Sequence, residues 1–341
     1  MFTPKYHISA RFLANAKRIA SLIVELNHLI VPQLVLFELA EDARILSSHT
    51  STRIEGNPLP LTEVKRIFKQ KPENIRDSER EVLNYNDALR QVQEQIQEPS
   101  WKLTLDFILQ IHRLVTHELV PPHQCGRLRA EPVVVYEPIS RVIAFLPPDH
   151  QDVARLLAEL IQFVTHHRDE IDPLILAGIF HKQFVIIHPF ADGNGRTARL
   201  VTMALLASLG LNLFALFSFE NYYNQNTSRY FQQVGVYGNY YEIAESTDFT
   251  LWLEYFSDGI IDELLRVEAE IVQRSKAYQL LKPHETKIID FIQEHGFITN
   301  QQYSEVTKRA KATRSKDLRQ LVEKGILERK GRGKGTYYVI K

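Results

Sequence analysis

Apolar residues recur at helical spacing along most of the chain, most clearly over 22–30, 83–92, 103–119, 153–164 and 251–271. The first helical segment ends near Val31-Pro32. A second is predicted from residue 34 to about 55, where Gly56-Asn57-Pro58 forms a strong stop. Helices are also expected over 61–71, 77–97 and 173–187, and one begins after Pro147-Pro148 with Asp149 as its N-cap. Strand patterns are few. Val133-Val134-Val135-Tyr136 and Val142-Ile-Ala-Phe-Leu146 are β-branched and aromatic and flank a turn with Pro138 and Ser140, which predicts one β-hairpin. A long helix over about 249–280 leads to Lys282-Pro283. Beyond it three short helices (285–294, 300–308 and 313–323) precede a glycine-rich hairpin over 325–340. The fold class is mainly α.

Composition sharpens this only locally. A 341-residue chain with 44% hydrophobic and 24% charged residues is an ordinary globular protein of two or three domains. Lys+Arg and Asp+Glu balance at 41 each, so overall charge excludes no partner. Residues 281–341, however, carry 14 Lys/Arg against 7 Asp/Glu. The expected division is an N-terminal helical region (1–100), a core (101–280) and a basic C-terminal domain (281–341). One cysteine, Cys125 in a surface loop, rules out an internal disulfide and fits a reducing compartment. The N-terminus has no signal pattern, and no apolar run approaches the ~20 residues that span a bilayer. A cytoplasmic protein without a membrane partner is expected.

The chemistry concentrates in His188-Pro-Phe-Ala-Asp192-Gly193-Asn194-Gly195-Arg196-Thr-Ala-Arg199, between two apolar helical runs. The second half of this stretch should form the first turn of a helix, whose free N–H groups and dipole suit a phosphate. Gly193 and Gly195 let a ligand approach the backbone closely. Arg196 and Arg199, three apart, share a helix face and can grip further phosphate oxygens. Asp192 is a hard oxygen ligand suited to Mg²⁺, and His188 can accept a proton near neutral pH. Together these residues point to phosphoryl or nucleotidyl transfer with a histidine base. His112, His117, His166, His167 and His181 have no spacing that assigns them a role, and His112 with His117 makes a poor metal pair. Glu79, Arg80, Glu81 and Arg90 read as a solvated helix face.

The stretch from His188 to Arg199 resembles the signature of Fic-domain proteins, H-x-F-x-[DE]-G-N-G-R-x-x-R, at every specified position. Ser51-x-x-x-Glu55-Gly56 resembles the inhibitory motif of many such proteins, within a helix of about 36–56. The resemblance implies a Fic-type helical bundle that moves AMP from ATP, with Mg²⁺, to a Ser, Thr or Tyr hydroxyl of a target protein, the chain itself included. It implies His188 as base, Asp192 as metal ligand, Gly193, Asn194, Gly195, Arg196 and Arg199 on the nucleotide, and Glu55 pairing with Arg199 to hold the site off. It further implies a β-hairpin flap, Val133 to Tyr136, that docks the target, although Gly126-Arg-Leu128-Arg129 carries Leu128 where the family has an aromatic residue. Tyr230 and Phe231 correspond to a Tyr-Tyr pair lining the adenine pocket. Residues 281–341 resemble a winged helix-turn-helix, a DNA- or protein-binding module, with phosphate contacts expected from Thr313, Arg314, Lys316, Arg319, Arg332 and Lys334. Removal of AMP by the same site, or a nucleotide-sensing DNA-binding regulator, is the alternative function. Relatives often dimerise, but no interface is legible here.

Overall fold

The computed structural model describes residues 2–70, 72–98, 101–136, 142–211, 213–279, 281–324 and 326–340, so Pro138, Ser140, Leu280 and Gly325 lie outside the described residues. The helices are α1 (Ala10–Asn27), α2 (Gln33–Ile54), α3 (Leu61–Lys69), α4 (Asp77–Gln95), α5 (Leu105–Val115), α6 (His150–His166), α7 (Pro173–Ile187) and α8 (Asn194–Leu206). They continue with α9 (Glu220–Gln225), α10 (Thr227–Val234), α11 (Tyr240–Ile243), α12 (Thr250–Gln279), α13 (Pro283–His295), α14 (Tyr303–Val306) and α15 (Lys311–Glu323). The strands are β1 (Val135–Tyr136), β2 (Ile143–Leu146), β3 (Gly238–Asn239), β4 (Leu327–Lys330) and β5 (Tyr337–Ile340). No helix among the described residues is long and apolar enough to cross a membrane.

Two compact units form, one from Met1–Leu29 with Leu39–Glu268, the other from Ile30–Glu38 with Ala269–Lys341. In the first, α7 is the central element. From Leu174 to Ile187 only Val185 escapes full burial, and α6, α8 and α10 pack around the helix. Asp172 caps it by accepting from the Leu174 N–H at 2.8 Å, and Pro173 sits at its first position, where no hydrogen bond is lost. The helix α8 lies against α4, α5 and α7, so the chemistry-bearing stretch enters the middle of the bundle. Trp252 of α12 donates to the Gly178 carbonyl at 2.7 Å and packs with His181, Tyr223 and Phe256.

The predicted hairpin is present but shorter than the sequence pattern. Val135 pairs with Phe145 and Tyr136 with Ile143, while Val133 and Val134 lie outside the strand. Extending the ladder would bring Val133 opposite Pro147, which has no N–H to donate. A third strand that the sequence pattern did not reveal, β3, pairs parallel to β2. Among the described residues β1 is an edge of this sheet.

In the second unit α13, α14 and α15 and the β4–β5 pair close on a core that includes Leu34, Ile288, Ile292, Ile298, Tyr303, Leu318 and Leu321. The helix α14 is only four residues long, shorter than the pattern predicts, because the Gln302 side chain bonds back to Thr299 and Thr307 is extended. Asp317 of α15 points inward, accepting from the Tyr303 hydroxyl at 2.9 Å and pairing with Arg309.

Phe180→Ala removes a fully buried ring from α7 and should lower stability by about 3–5 kcal/mol. Urea unfolding followed by tryptophan fluorescence reads this unit, because both Trp101 and Trp252 belong to it.

Candidate active site

The helix α7 ends at His188, whose backbone is left-handed (φ 50°, ψ 61°). Pro189 prevents the helix from continuing. A non-glycine residue pays about 1–2 kcal/mol for this conformation, so surrounding contacts must hold it. The buried Arg129 supplies them. Its Nε donates to the His188 carbonyl at 2.8 Å, its own N–H donates to the Pro189 carbonyl at 3.0 Å, and Nη2 reaches the Pro148 carbonyl at 2.5 Å. The His188 Nδ1 lies 3.3 Å from the Val185 carbonyl, an acceptor, so the proton belongs on Nδ1 and Nε2 keeps its lone pair. Burial first, with the Arg129 charge adding to it, lowers the His188 pKa and keeps the ring neutral near pH 7.

Five residues on from His188, Gly193 caps α8 with φ 77°, and the first turn of α8 presents its backbone N–H groups. Asn194 is spent inside the loop. Its Oδ1 accepts from the Phe190 N–H at 2.9 Å and its Nδ2 donates to the Phe190 carbonyl at 2.8 Å. One Nδ2 hydrogen remains beyond these two bonds, beside the main-chain N–H groups of the turn.

The two arginines are buried, Arg196 at 3% and Arg199 at 0% exposure. Arg199 donates from Nε to the Ser51 hydroxyl at 2.7 Å, and from Nη2 to the Ser51 carbonyl at 2.9 Å and Glu55 Oε1 at 2.7 Å. Burial alone would depress its pKa, but Glu55, with Tyr230 and Tyr85, more than reverses this and holds the guanidinium charged. Glu55 follows directly after α2, and its side chain also covers the start of α8. A Cβ placed on Gly195 would fall on the Glu55 carboxylate. The carboxylate thus occupies the anion seat itself.

Arg196 is held differently. Its Nη2 donates to Asp192 at 2.9 Å, and Glu81 Oε1 stands 2.8 Å from Nη1 as an ion pair poorly aligned for a hydrogen bond. Among the described residues Nε and Nη1 have no aligned hydrogen-bond acceptor, Nη1 facing Glu81 as an ion pair. Glu81 is therefore not on a solvated face. It lies half-buried, accepts from the Asn57 amide at 2.6 Å, and burial raises its pKa. Glu79 is buried as well, bonded to the Arg76 N–H at the start of α4. Charges that look like a water-facing stripe by spacing turn inward because α4 packs on α5 and α8.

Tyr230 and Phe231 occupy different environments. The Tyr230 ring is enclosed by Tyr223 and Trp252, with its hydroxyl 2.9 Å from His181 Nε2 and 3.5 Å from Arg199 Nη1, while Phe231 is half-buried. Tyr230 thus offers Arg199 a hydroxyl rather than a free stacking face. Ser51 and Glu55 belong to a longer ladder on α2. One turn earlier, Ser47 donates to the buried Glu220 at 2.9 Å, and Glu220 also accepts from the Tyr85 hydroxyl at 2.5 Å. Ser47, Tyr85 and Glu220 were not singled out in the sequence, and Glu81, Arg129 and His112 were named there without the contacts they make. The nearest signal was a lone polar residue in an otherwise apolar stripe, as His112 is in α5.

Residues 102–206 match the Fic/DOC family. Over these residues the chain is similar to a Fic domain. It is 33% identical over 164 residues to the protein adenylyltransferase Fic of Nematostella vectensis, covering 47% of this chain and 36% of that protein. It is 29% identical over 192 residues to the protein adenylyltransferase fic-1 of Caenorhabditis elegans, covering 54% and 36%. The chain therefore spans only about a third of the length of these relatives. A Fic family protein from Desulfovibrio desulfuricans has the same fold, with TM-score 0.69, 20% identity and coverage of 100% of this chain and 98% of that one. A Fic-1 fragment from C. elegans superposes with TM-score 0.60 at 24% identity, over 78% and 74%. The helical fold of these Fic proteins is thus shared.

Glu55→Gln leaves the Arg199 charge buried among neutral groups. Breaking a buried pair costs about 3–5 kcal/mol, and because the Glu55 side chain is 30% exposed the expected loss is smaller, about 1–3 kcal/mol. The same fluorescence-detected urea unfolding measures it.

Proposed function

We propose that this chain is a protein adenylyltransferase, moving AMP from ATP to a Ser, Thr or Tyr hydroxyl of a target protein and held off by Glu55. The observation that supports it most is the meeting, at the start of α8, of a neutral histidine with a free Nε2 and two buried guanidiniums. In this reading His188 Nε2 takes the acceptor's proton as its oxygen bonds to the α-phosphorus. The α–β bridging bond breaks and pyrophosphate leaves. The α8 backbone N–H groups, with no side-chain reorganisation to make, stabilise charge on the transferring group. Arg196, with donors to spare, takes the β-phosphate, and Arg199 takes the γ-phosphate once Glu55 leaves. Asp192, its side chain 58% exposed beside the anion seat, fits a Mg²⁺ that takes its other ligands from phosphates and water. When bound, that ion would neutralise phosphate charge. The exposed edge of β1, with Tyr136 55% exposed, is suited to adding a target segment as a further strand.

Glu55→Gly should raise transfer of label from α-labelled ATP about tenfold or more, equivalent to about 1.4 kcal/mol. Adding His188→Ala should abolish it. Label from the γ-position instead would make the chain a phosphotransferase. Because burial lowers the His188 pKa below the ordinary 6.5, and the base works unprotonated, the acid limb of the rate should lie at lower pH than an ordinary imidazole would place it, as a pH–rate profile measures.

We also propose that residues 281–341 are a winged helix that binds DNA. The exposed face of α15 carries Ala312, Ser315, Lys316 and Arg319, three or four apart, and Arg332 is exposed beyond β4. Arg314 takes no part, since its guanidinium bonds the Asn300 and Arg309 carbonyls. Thr313 is half-buried, and the Lys334 side chain lies outside the described residues. In the full chain, Lys316→Ala with Arg319→Ala should weaken duplex binding and reduce the slope of log K against log salt by about 2. Fluorescence anisotropy across a salt series checks this, and absence of any salt-dependent binding by the unmutated chain would leave the unit a protein-docking module.

A further inference from the structure

One side of α5, continued by its C-cap Thr116, is the common floor of two segments far apart in sequence. Leu109, His112, Arg113 and Thr116 are spaced three and four apart, so they lie on one side of the helix. Gly126 (φ 69°) rests on this side, where an added Cβ would come within 2.9 Å of Arg113 and 3.1 Å of the Leu109 carbonyl. Gly193 rests on it too, where a Cβ would meet Thr116 Cγ2 at 2.7 Å and His112 Cδ2 at 3.5 Å. Gly126 opens the segment that carries Arg129 and the flap. Gly193 opens the anion seat.

His112 lies between them, 1% exposed. The Gly126 N–H, which can only donate, is 3.0 Å from its Nδ1. The Asp192 carbonyl, which can only accept, is 3.0 Å from its Nε2. These two partners leave one arrangement, the neutral ring with its proton on Nε2. The ring face stacks on Phe190 at 3.6 Å and 8°, and Phe190 is the residue that Asn194 grips through both its N–H and its carbonyl. All three faces of the imidazole that can bond or pack are thus committed, and all to the anion loop or the base of the flap.

We propose that His112 is a positioning residue for adenylyl transfer, fixing the Asp192–Gly193 peptide and the root of the Asp192 side chain against the Gly126 end of the flap segment. The role rests on the adenylyl-transfer reading above. A one-ångström error at this peptide would turn the seat's N–H groups and the Asp192 carboxylate away from the phosphates together, and misplacement of that size costs about 10²-fold in rate. With Arg129 bonding the His188 and Pro189 main chain, the flap segment is tied to the signature loop at both ends, by Arg129 near the base and by His112 near the anion seat.

The test uses the full chain in the Glu55→Gly background. His112→Phe keeps a ring for the Phe190 stack but removes both hydrogen bonds, and His112→Gln restores a donor and an acceptor. His112→Phe should lower kcat for transfer of α-label by about 10–100-fold, the range for outer-shell partners of a ligating group. KM for ATP should change by less, and His112→Gln should recover part of the loss. Turnover of His112→Phe within about twofold of its parent, or a Gln variant as poor as Phe, overturns the role. So does a loss that merely tracks the folded fraction measured by urea unfolding. A parent with no transfer at all refutes the adenylyl-transfer reading instead. The brace is then read without activity, from the ring ¹⁵N resonances of His112. A proton on Nε2, with the Gly126 and Gly193 amide signals shifting in His112→Phe, supports it, and a proton on Nδ1 overturns it.

Discussion

A guanidinium with no exposure to water is the constraint around which this site is arranged. Arginine does not shed its proton when buried, so Arg199 must always have an anion at hand. In the structure that anion is Glu55, 2.7 Å away. Because the carboxylate also lies over Gly195 at the start of α8, the same group satisfies Arg199 and fills the seat that a phosphate would take. Inhibition under the proposed chemistry is then an exchange of anions on a fixed cation. It needs no rearrangement of α8. The cost of moving Glu55 away is the cost of leaving Arg199 with only Ser51 and Tyr230, and an arriving phosphate repays it.

The helix that supplies Glu55 is set by more than that pair. Ser47, Ser51 and Glu55 are four apart and therefore on one face of α2. Each meets a buried partner, Glu220 for Ser47 and Arg199 for the other two. Glu220 is the unusual member, a carboxylate with no exposure that burial drives toward its neutral form and that the Tyr85 and Ser47 hydroxyls stabilise. A polar group so deep is costly unless every lone pair is used, and using them fixes the rotation of α2 about its own axis. That rotation decides whether Glu55 faces Arg199.

What could be seen in the sequence follows the range of the interactions concerned. The turn at Gly193, the cap at Asp149 and the stop at Gly56-Asn57-Pro58 depend on neighbours within a few residues, and each is where the local pattern puts it. The signature is equally local, so His188, Asp192, Arg196 and Arg199 could be named together. Glu81 was misplaced for the opposite reason. Its spacing in α4 is that of a water-facing charge, and only the packing of α4 against α8 brings it to Arg196, 115 positions later. His112 escaped notice similarly, since neither of its two partners is close in sequence. The Asn194 amide closes the loop on both main-chain groups of Phe190, a pair of bonds that the motif alone does not show. Strand β3 was invisible, two residues long and paired to a strand more than ninety positions earlier.

The two signature arginines also differ in a way that bears on order of events. Arg199 has every donor group engaged and its carboxylate partner in the anion seat. Arg196 has Nε and Nη1 without aligned acceptors, and its partner Glu81 is held back by Asn57. A phosphate meets Arg196 beside the carboxylates of Asp192 and Glu81, whereas it meets Arg199 only by displacing Glu55. Asn57 lies two residues beyond Glu55, just past the stop that ends α2. Holding Glu81 through Asn57 thus also holds the chain that follows the inhibitory carboxylate, and any movement that carries Glu55 out of the seat pulls on the Glu81–Arg196 pair.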